Sequence, residues 1–345
     1  MLINKHVHIG SPTGMFNGKL PVRMLWVNAA LLAALAILLF LALSSGSLPL
    51  TLNEVGRALS GEGKPGTVIV VTQWRLPRAV IALFAGAGLA ISGAIFQSIS
   101  RNPLGSPDLV GFNTGAYTGV LIVMTLLHGS GYQIASGALM GGVLTALVVY
   151  LLTWRNGISG FRLIVIGIAV SAMLSALNTL LIISASLESA MSAALWGVGS
   201  LNGMTWLKAQ PALLIIPLCI LATLAAGKNL TLLEMGDEHA HSLGIHTEYS
   251  RLWLIFIGIL LVAVTTASCG PVAFIALAAP QIARRLVGRS HLALTSAALT
   301  GAFLLLSADL IAQHAFGRIQ LPVGAVTTSI GGIYLIYLLI RESRR

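Results

Sequence analysis

Four of the ten acidic residues of this chain, Glu234, Asp237, Glu238 and Glu248, fall in the stretch 232–249, with His239, His241 and His246 among them. Carboxylates beside imidazoles could hold a metal ion, but the spacing matches no ligand set. The stretch is too polar to cross a membrane, and Gly236 and Gly244 break its helix-compatible pieces. A solvated loop is one reading. We favour a docking element for a partner, because a long connection of this kind in a compact protein usually has a task.

Asp309 is the single acid deep inside an apolar run. Buried there, it would face protein or a water-filled cavity, as a proton carrier or as a structural hydrogen-bond acceptor. No basic companion is evident in the other runs, which speaks against a relay. No catalytic signature is present. Gly61-Glu62-Gly63-Lys64-Pro65 has the wrong glycine spacing for a phosphate loop and no Ser or Thr after the Lys. There is no nucleophile elbow and no HExxH zinc motif. Cys219 and Cys269 lie in apolar runs and read as small buried hydrophobes, giving neither a metal set nor a disulfide framework. The expectation is therefore no catalytic residue, no metal and no cofactor on this chain. If transport here uses ATP, another chain must hydrolyse it.

The elements that carry these residues are apolar runs. The chain is 56% hydrophobic and 9% charged, against roughly 25% charged in an average soluble domain, and its mean hydropathy is +0.91. We place ten spans at about 25–43, 78–99, 108–127, 133–154, 162–183, 207–227, 251–268, 271–287, 292–313 and 323–341. Each approaches the ~20 residues that cross a bilayer core as a helix. They are too long and too continuously apolar for barrel strands. The first run is longer than a secretory signal's and reads as a retained helix. Residues 1–23 form a polar N-terminal tail, expected to be poorly ordered up to about residue 20. Residues 24–345 form one transmembrane domain. The connection 44–77 holds a short amphipathic piece at 52–59, and 184–206 reads as a Gly/Ser/Trp-rich link.

The net charge of +10 does not indicate nucleic acid, because Lys and Arg are dispersed between the runs. They read as topology signals. With the N-terminus inside, 14 of the 20 basic residues fall on the cytoplasmic side and 6, including Arg75, Arg78 and Arg318, on the other. That bias places both termini in the cytoplasm. Ten spans also permit two five-helix halves of opposite sense, an inverted repeat.

Short motifs flank the runs. Trp74-Arg75-Leu76-Pro77-Arg78 lies just before the second span. Its arginines are either interfacial anchors or partners for carboxylates of an arriving protein; the sequence leaves both open. Pro77 suits a first helical turn. The second span is dense in Gly, Ala and Ser, which lets helices approach closely. Arg101-Asn102-Pro103-Leu104-Gly105-Ser106-Pro107 then stops the helix with two prolines. It reads as a turn or as a stiff constriction.

Taken together, Arg75-Leu76-Pro77-Arg78, Ser92-Gly93-Ala94-Ile95-Phe96-Gln97, Asn102-Pro103-Leu104, Gly270-Pro271-Val272-Ala273-Phe274-Ile275, Ala279-Pro280-Gln281-Ile282-Ala283-Arg284 and Leu321-Pro322-Val323-Gly324 resemble the FecCD-type permeases of ATP-binding cassette importers. These take up iron–siderophore complexes, haem and vitamin B12. Within the family, Arg101 to Asp108, Gly111 to Ala116, Trp154-Arg155-Asn156-Gly157, Gly199 to Gly203 and Leu232 to Asp237 are similar to second permease subunits of ferric enterobactin importers.

The resemblance implies an all-α, ten-helix type II importer permease in a bacterial inner membrane, carrying a ferric catecholate siderophore from periplasm to cytoplasm. Another iron chelate, haem or vitamin B12 is the alternative. It implies a paralogous second permease, two copies of a cytoplasmic ATPase holding ATP and Mg, and a periplasmic siderophore-binding protein. It assigns Glu234, Gly236, His239, Ala240, Leu243 and Gly244 to ATPase coupling and Arg75 and Arg78 to binding-protein docking. Asn102, Leu104, Gly160 and Phe161 are assigned to the cytoplasmic gate. Two departures from the family's pattern stand out. Gln313 stands where a relative has Arg, with His314 or Arg318 as substitutes, and Gly160-Phe161 replace small hydroxyl residues, so Phe161 could act as an apolar plug.

Overall fold

With no water in the hydrocarbon core, each run satisfies its own backbone by coiling. The computed structural model describes residues 6–9, 18–46, 48–108, 110–154, 160–288, 293–315 and 320–342. Ten helices fill the ten runs: α1 (Val22–Ser44), α4 (Leu76–Ser100), α5 (Phe112–Thr125), α6 (Tyr132–Thr153), α7 (Gly160–Ser184), α9 (Trp206–Ala225), α12 (Thr247–Cys269), α13 (Ile275–Val287), α14 (Leu294–His314) and α15 (Val323–Glu342). Five short helices lie between them: α2 (Leu52–Leu59), α3 (Pro65–Ile69), α8 (Leu187–Gly197), α10 (Gly227–Glu234) and α11 (Asp237–Ser242). In the tail, β1 (His6–Ile9) pairs antiparallel with β2 (Gly18–Pro21), where an unstructured segment is the expectation.

Three features depart from the sequence reading. The link 184–206 contains α8, whose Ser186 side chain accepts from the Ser189 N–H as its N-cap. Residues 65–100 form one continuous helical rod, so Trp74 and Arg75 are helical rather than in a loop. Within that rod Val70–Arg75 is a π turn, with the Leu76 N–H reaching back to the Val71 carbonyl. Pro77 has no N–H to offer the Thr72 carbonyl five residues back. The Trp206 indole supplies the missing donor at 2.8 Å, so no buried acceptor is left open.

The third departure is in length. Among the described residues, seven helices are long and apolar enough to cross a membrane. By contrast α5 and α13, at 14 and 13 residues, span only ~20 Å of a core ~30 Å thick. Each begins inside the protein after a left-handed residue, Gly111 (φ 90°) for α5 and Phe274 (φ 68°) for α13. The same order of elements thus runs twice: a span, short connecting helices, a long span, a half-length helix and two more spans. A pair of broken helices at matching positions in two halves is the arrangement of inverted-repeat transporters.

Small residues set the packing. α4 lies at the centre, against α9, α12, α13 and α14. A Cβ built on Gly93 would stand 1.7 Å from the Ala276 carbonyl oxygen. That carbonyl is the one Pro280 leaves without an intrahelical donor. Gly86 of α4 and Gly301 of α14 meet backbone to backbone, as do Gly119 of α5 and Gly137 of α6. Such approach favours association in lipid, where apolar burial between helices gains little.

Candidate functional site

On the face that the charge count assigns to the cytoplasm, α10 and α11 form a bent pair joined at Gly236. Its φ of 118° is strained for any residue with a Cβ. Ala240 is fully buried, and its carbonyl accepts the Ile245 N–H. This closes the turn that carries Gly244, at φ 81°. Around that anchor Met235, Leu243 and Tyr249 stand exposed, with His239 beside them. Apolar side chains are thus presented beside water on an element whose shape is fixed by its own glycines. The histidines do not converge: among the described residues no three His, Cys, Asp or Glu could hold one ion.

Carboxylates tie this pair to the membrane helices. Glu234 Oε1 accepts from Arg284 Nη2 of α13 at 2.7 Å and from Ser98 Oγ of α4 at 2.8 Å. Asp237 Oδ1 accepts from Arg101, just past α4, at 2.5 Å and from Arg251 of α12 at 2.6 Å. Arg101 also donates through Nε to the Leu233 carbonyl at 3.2 Å. The sequence reading chose Glu234 but missed Asp237, Arg101, Arg251 and Arg284 as a set. The signal was scarcity, since five of the chain's few charges crowd at the ends of one segment and three spans.

The connection after α4 is more than a turn. Asn102 Oδ1 accepts the Leu104 N–H at 2.9 Å, forming a local side-chain turn that leaves Leu104 half exposed. The chain then rises beside α13. The Pro103 carbonyl accepts from Gln281 Nε2 at 2.7 Å, and seven residues nearer the start of α13 the half-buried Asp108 accepts from the Phe274 N–H at 3.3 Å. Asp108 also accepts from Asn113 Nδ2 at 2.7 Å, and Asn113 Oδ1 accepts from Thr266 of α12 at 2.9 Å. The described residues between Arg101 and Gly111 thus form a re-entrant segment of irregular backbone. It is tolerated at membrane depth because protein surrounds it. On the neighbouring connection, Gly160 opens α7 and Phe161 projects 79% exposed. Arg155 and Asn156 lie outside the described residues.

Arg75 and Arg78 are bound to their own chain. Arg75 donates to the Leu43 and Leu48 carbonyls at 2.7 and 2.6 Å, capping the C-terminal end of α1. Arg78 forks onto both oxygens of Asp309 at 2.8 to 3.2 Å, and Gln313 Nε2 donates to Asp309 Oδ2 at 2.8 Å. Asp309 is therefore not isolated. Its partner comes from 231 residues earlier, a distance no local spacing reveals. The Gln313 substitution is explained in the same stroke, since the amide completes the carboxylate's shell from one turn away. Arg318 lies outside the described residues.

Against known proteins, the profile of the FecCD transport family matches residues 34–341. The ferric enterobactin transport system permease protein FepG of Escherichia coli (strain K12) is 52% identical over 323 residues, covering 94% of this chain and 98% of that protein. The hemin transport system permease protein HmuU of Yersinia pestis is 36% identical, covering 78% of this chain and 82% of that one. A solved structure described as an inward-facing conformation of a metal-chelate type ABC transporter superposes with a TM-score of 0.82. Its identity is 28%, covering 92% of this chain and 99% of that one.

Proposed function

The chain belongs to the FecCD transport family, and from that premise we propose that it carries ferric enterobactin, or a closely similar ferric catecholate, across the bacterial inner membrane. It is a multi-pass, all-helical permease subunit of an ATP-binding cassette importer, a transport subunit rather than an enzyme. One observation carries the cargo assignment: 52% identity to the enterobactin permease over nearly the whole of both chains, against 32 to 36% for other iron-chelate and haem permeases. The work of the cycle is a rigid-body switch between packings.

In this reading α10 and α11 are the surface the ATPase grips, through Met235, His239 and Leu243, with Gly236 and Gly244 giving the backbone its shape and Ala240 anchoring it. Asn102, Leu104, Gly160 and Phe161 close the inner mouth. Arg75 and Arg78 act at the outer face by shaping the docking surface, with their guanidinium groups spent on Leu43, Leu48 and Asp309. A second permease completes the path, a periplasmic binding protein delivers cargo, and both termini face the cytoplasm. A gradient-driven carrier built on Asp309 gains no support from a carboxylate already bound by Arg78 and Gln313.

The test is complementation. Cells lacking their own enterobactin permease, supplied with this chain and its neighbouring transporter subunits, are to take up labelled ferric enterobactin in an ATP-dependent manner. Uptake of ferric citrate, a hydroxamate chelate, haem or vitamin B12 instead would move the cargo. Uptake by the purified chain alone, driven by a proton gradient, would overturn the importer reading.

A further inference from the structure

α13 is fastened at three levels. Its cytoplasmic end is held to the docking segment by Arg284 and Glu234, 2.7 Å apart, and Arg23 Nε caps the Leu286 carbonyl there at 2.8 Å. At mid-length Gln281 holds the Pro103 carbonyl. At its opposite, N-terminal end Asp108 holds the Phe274 N–H. The last two contacts lie on the re-entrant segment that also carries Asn102 and Leu104. The same segment is joined directly to the docking segment by Arg101 and Asp237.

We propose that α13 is the strut through which the docking segment moves the inner gate, with Glu234–Arg284 as its lower joint and Gln281–Pro103 as its upper one. Arg284 and Gln281 are one turn apart on α13, ~4.5 Å along its axis, and both lie past Pro280, so they move together as one short rigid piece. Displacement of Arg284 carries Gln281 with it and reaches the Pro103 carbonyl through a direct hydrogen bond. Arg101–Asp237 forms a second, parallel link to the same loop. The two links make the re-entrant segment follow α10 and α11 rather than slide past them. Glu234, Arg284 and Gln281 are thus positioning residues for transport.

This rests on the importer reading, and the experiment separates the two. The complex of this permease with its partner permease and ATPase is reconstituted in liposomes with loaded binding protein. Ferric enterobactin uptake and ATP hydrolysis are measured together. Glu234→Gln, Arg284→Gln and Gln281→Leu are each to assemble and hydrolyse ATP while uptake per ATP falls about tenfold, the scale of one lost charge-assisted hydrogen bond. The exchange of Glu234→Arg with Arg284→Glu is to restore most of the coupling. If uptake and hydrolysis fall together, or all variants transport normally, or the exchange assembles but stays uncoupled, the strut is wrong and the importer stands. If the unaltered complex neither assembles nor transports, the importer reading itself fails.

Discussion

α4 and α7 are both 25 residues long and almost equally hydropathic, at 2.2 and 2.1, yet 78% of the first span's window is buried inside the chain and only 17% of the second's. The difference lies in side-chain size. α4 presents Gly86, Gly88, Ala90, Gly93 and Ala94, which admit neighbouring backbones. α7 presents Phe161, Met173 and Ile183, each more than 70% exposed. In a bilayer, apolarity states only that a helix is in the membrane. Small residues state that it is inside the protein.

The contrast is broken most sharply at Gly93. Valine there would have to displace the Ala276 carbonyl, so Gly93→Val is to cost more than about 4 kcal/mol and to abolish the monodisperse peak on size exclusion in detergent. Next in size is Asp309→Ala, which leaves the partly buried Arg78 without its carboxylate and is to cost about 3 kcal/mol. Arg78→Leu combined with Asp309→Leu should recover most of the lost thermal stability; no recovery would mean that packing, rather than charge, governs that site. Smaller still is Thr51→Ala. Thr51 and Glu54 form a reciprocal cap on α2, and its loss is to cost about 1 kcal/mol. The Thr51 N–H and hydroxyl hold the Glu54 carboxyl below its ordinary value. The cap's contribution is therefore full above that value and is lost as pH falls through the lowered one, a trend that acid titration of the wild type and Thr51→Ala would show as converging melting curves. Least affected is Ile183→Ala on α7, under about 0.5 kcal/mol for the isolated chain. If Ile183→Ala weakens association with the second permease while leaving the lone subunit's melting temperature unchanged, the exposed face of α7 is a subunit contact rather than a lipid face.

Much of this architecture is legible before any coordinate. The ten runs become ten helices, and 52–59 forms the expected short helix. What escaped has a common physical cause. The starts of α5 and α13 were read four residues early because Gly270 to Phe274, like Val110 and Gly111, continue the apolar run although their backbone is not helical. The Arg78–Asp309 pair escaped because its members are 231 residues apart. The Asp237 cluster escaped because its arginines also serve as interfacial topology charges. Hydropathy reports what the lipid requires, whereas these features answer to neighbouring protein.

The π turn at Val70–Arg75 has one more consequence. An α-helix advances about 100° per residue, so a turn holding one extra residue rotates everything before it by that angle relative to α4. Pro65–Ile69, and the way α2 meets the end of α1, are therefore set by a single-residue phase shift. Deleting one residue from the turn would restore regular coiling but turn the outer arm away from α1, taking the Arg75 cap with it. The surface that carries α2 and Pro65–Ile69 is accordingly adjustable by insertion or deletion at one point, without altering a residue of α4.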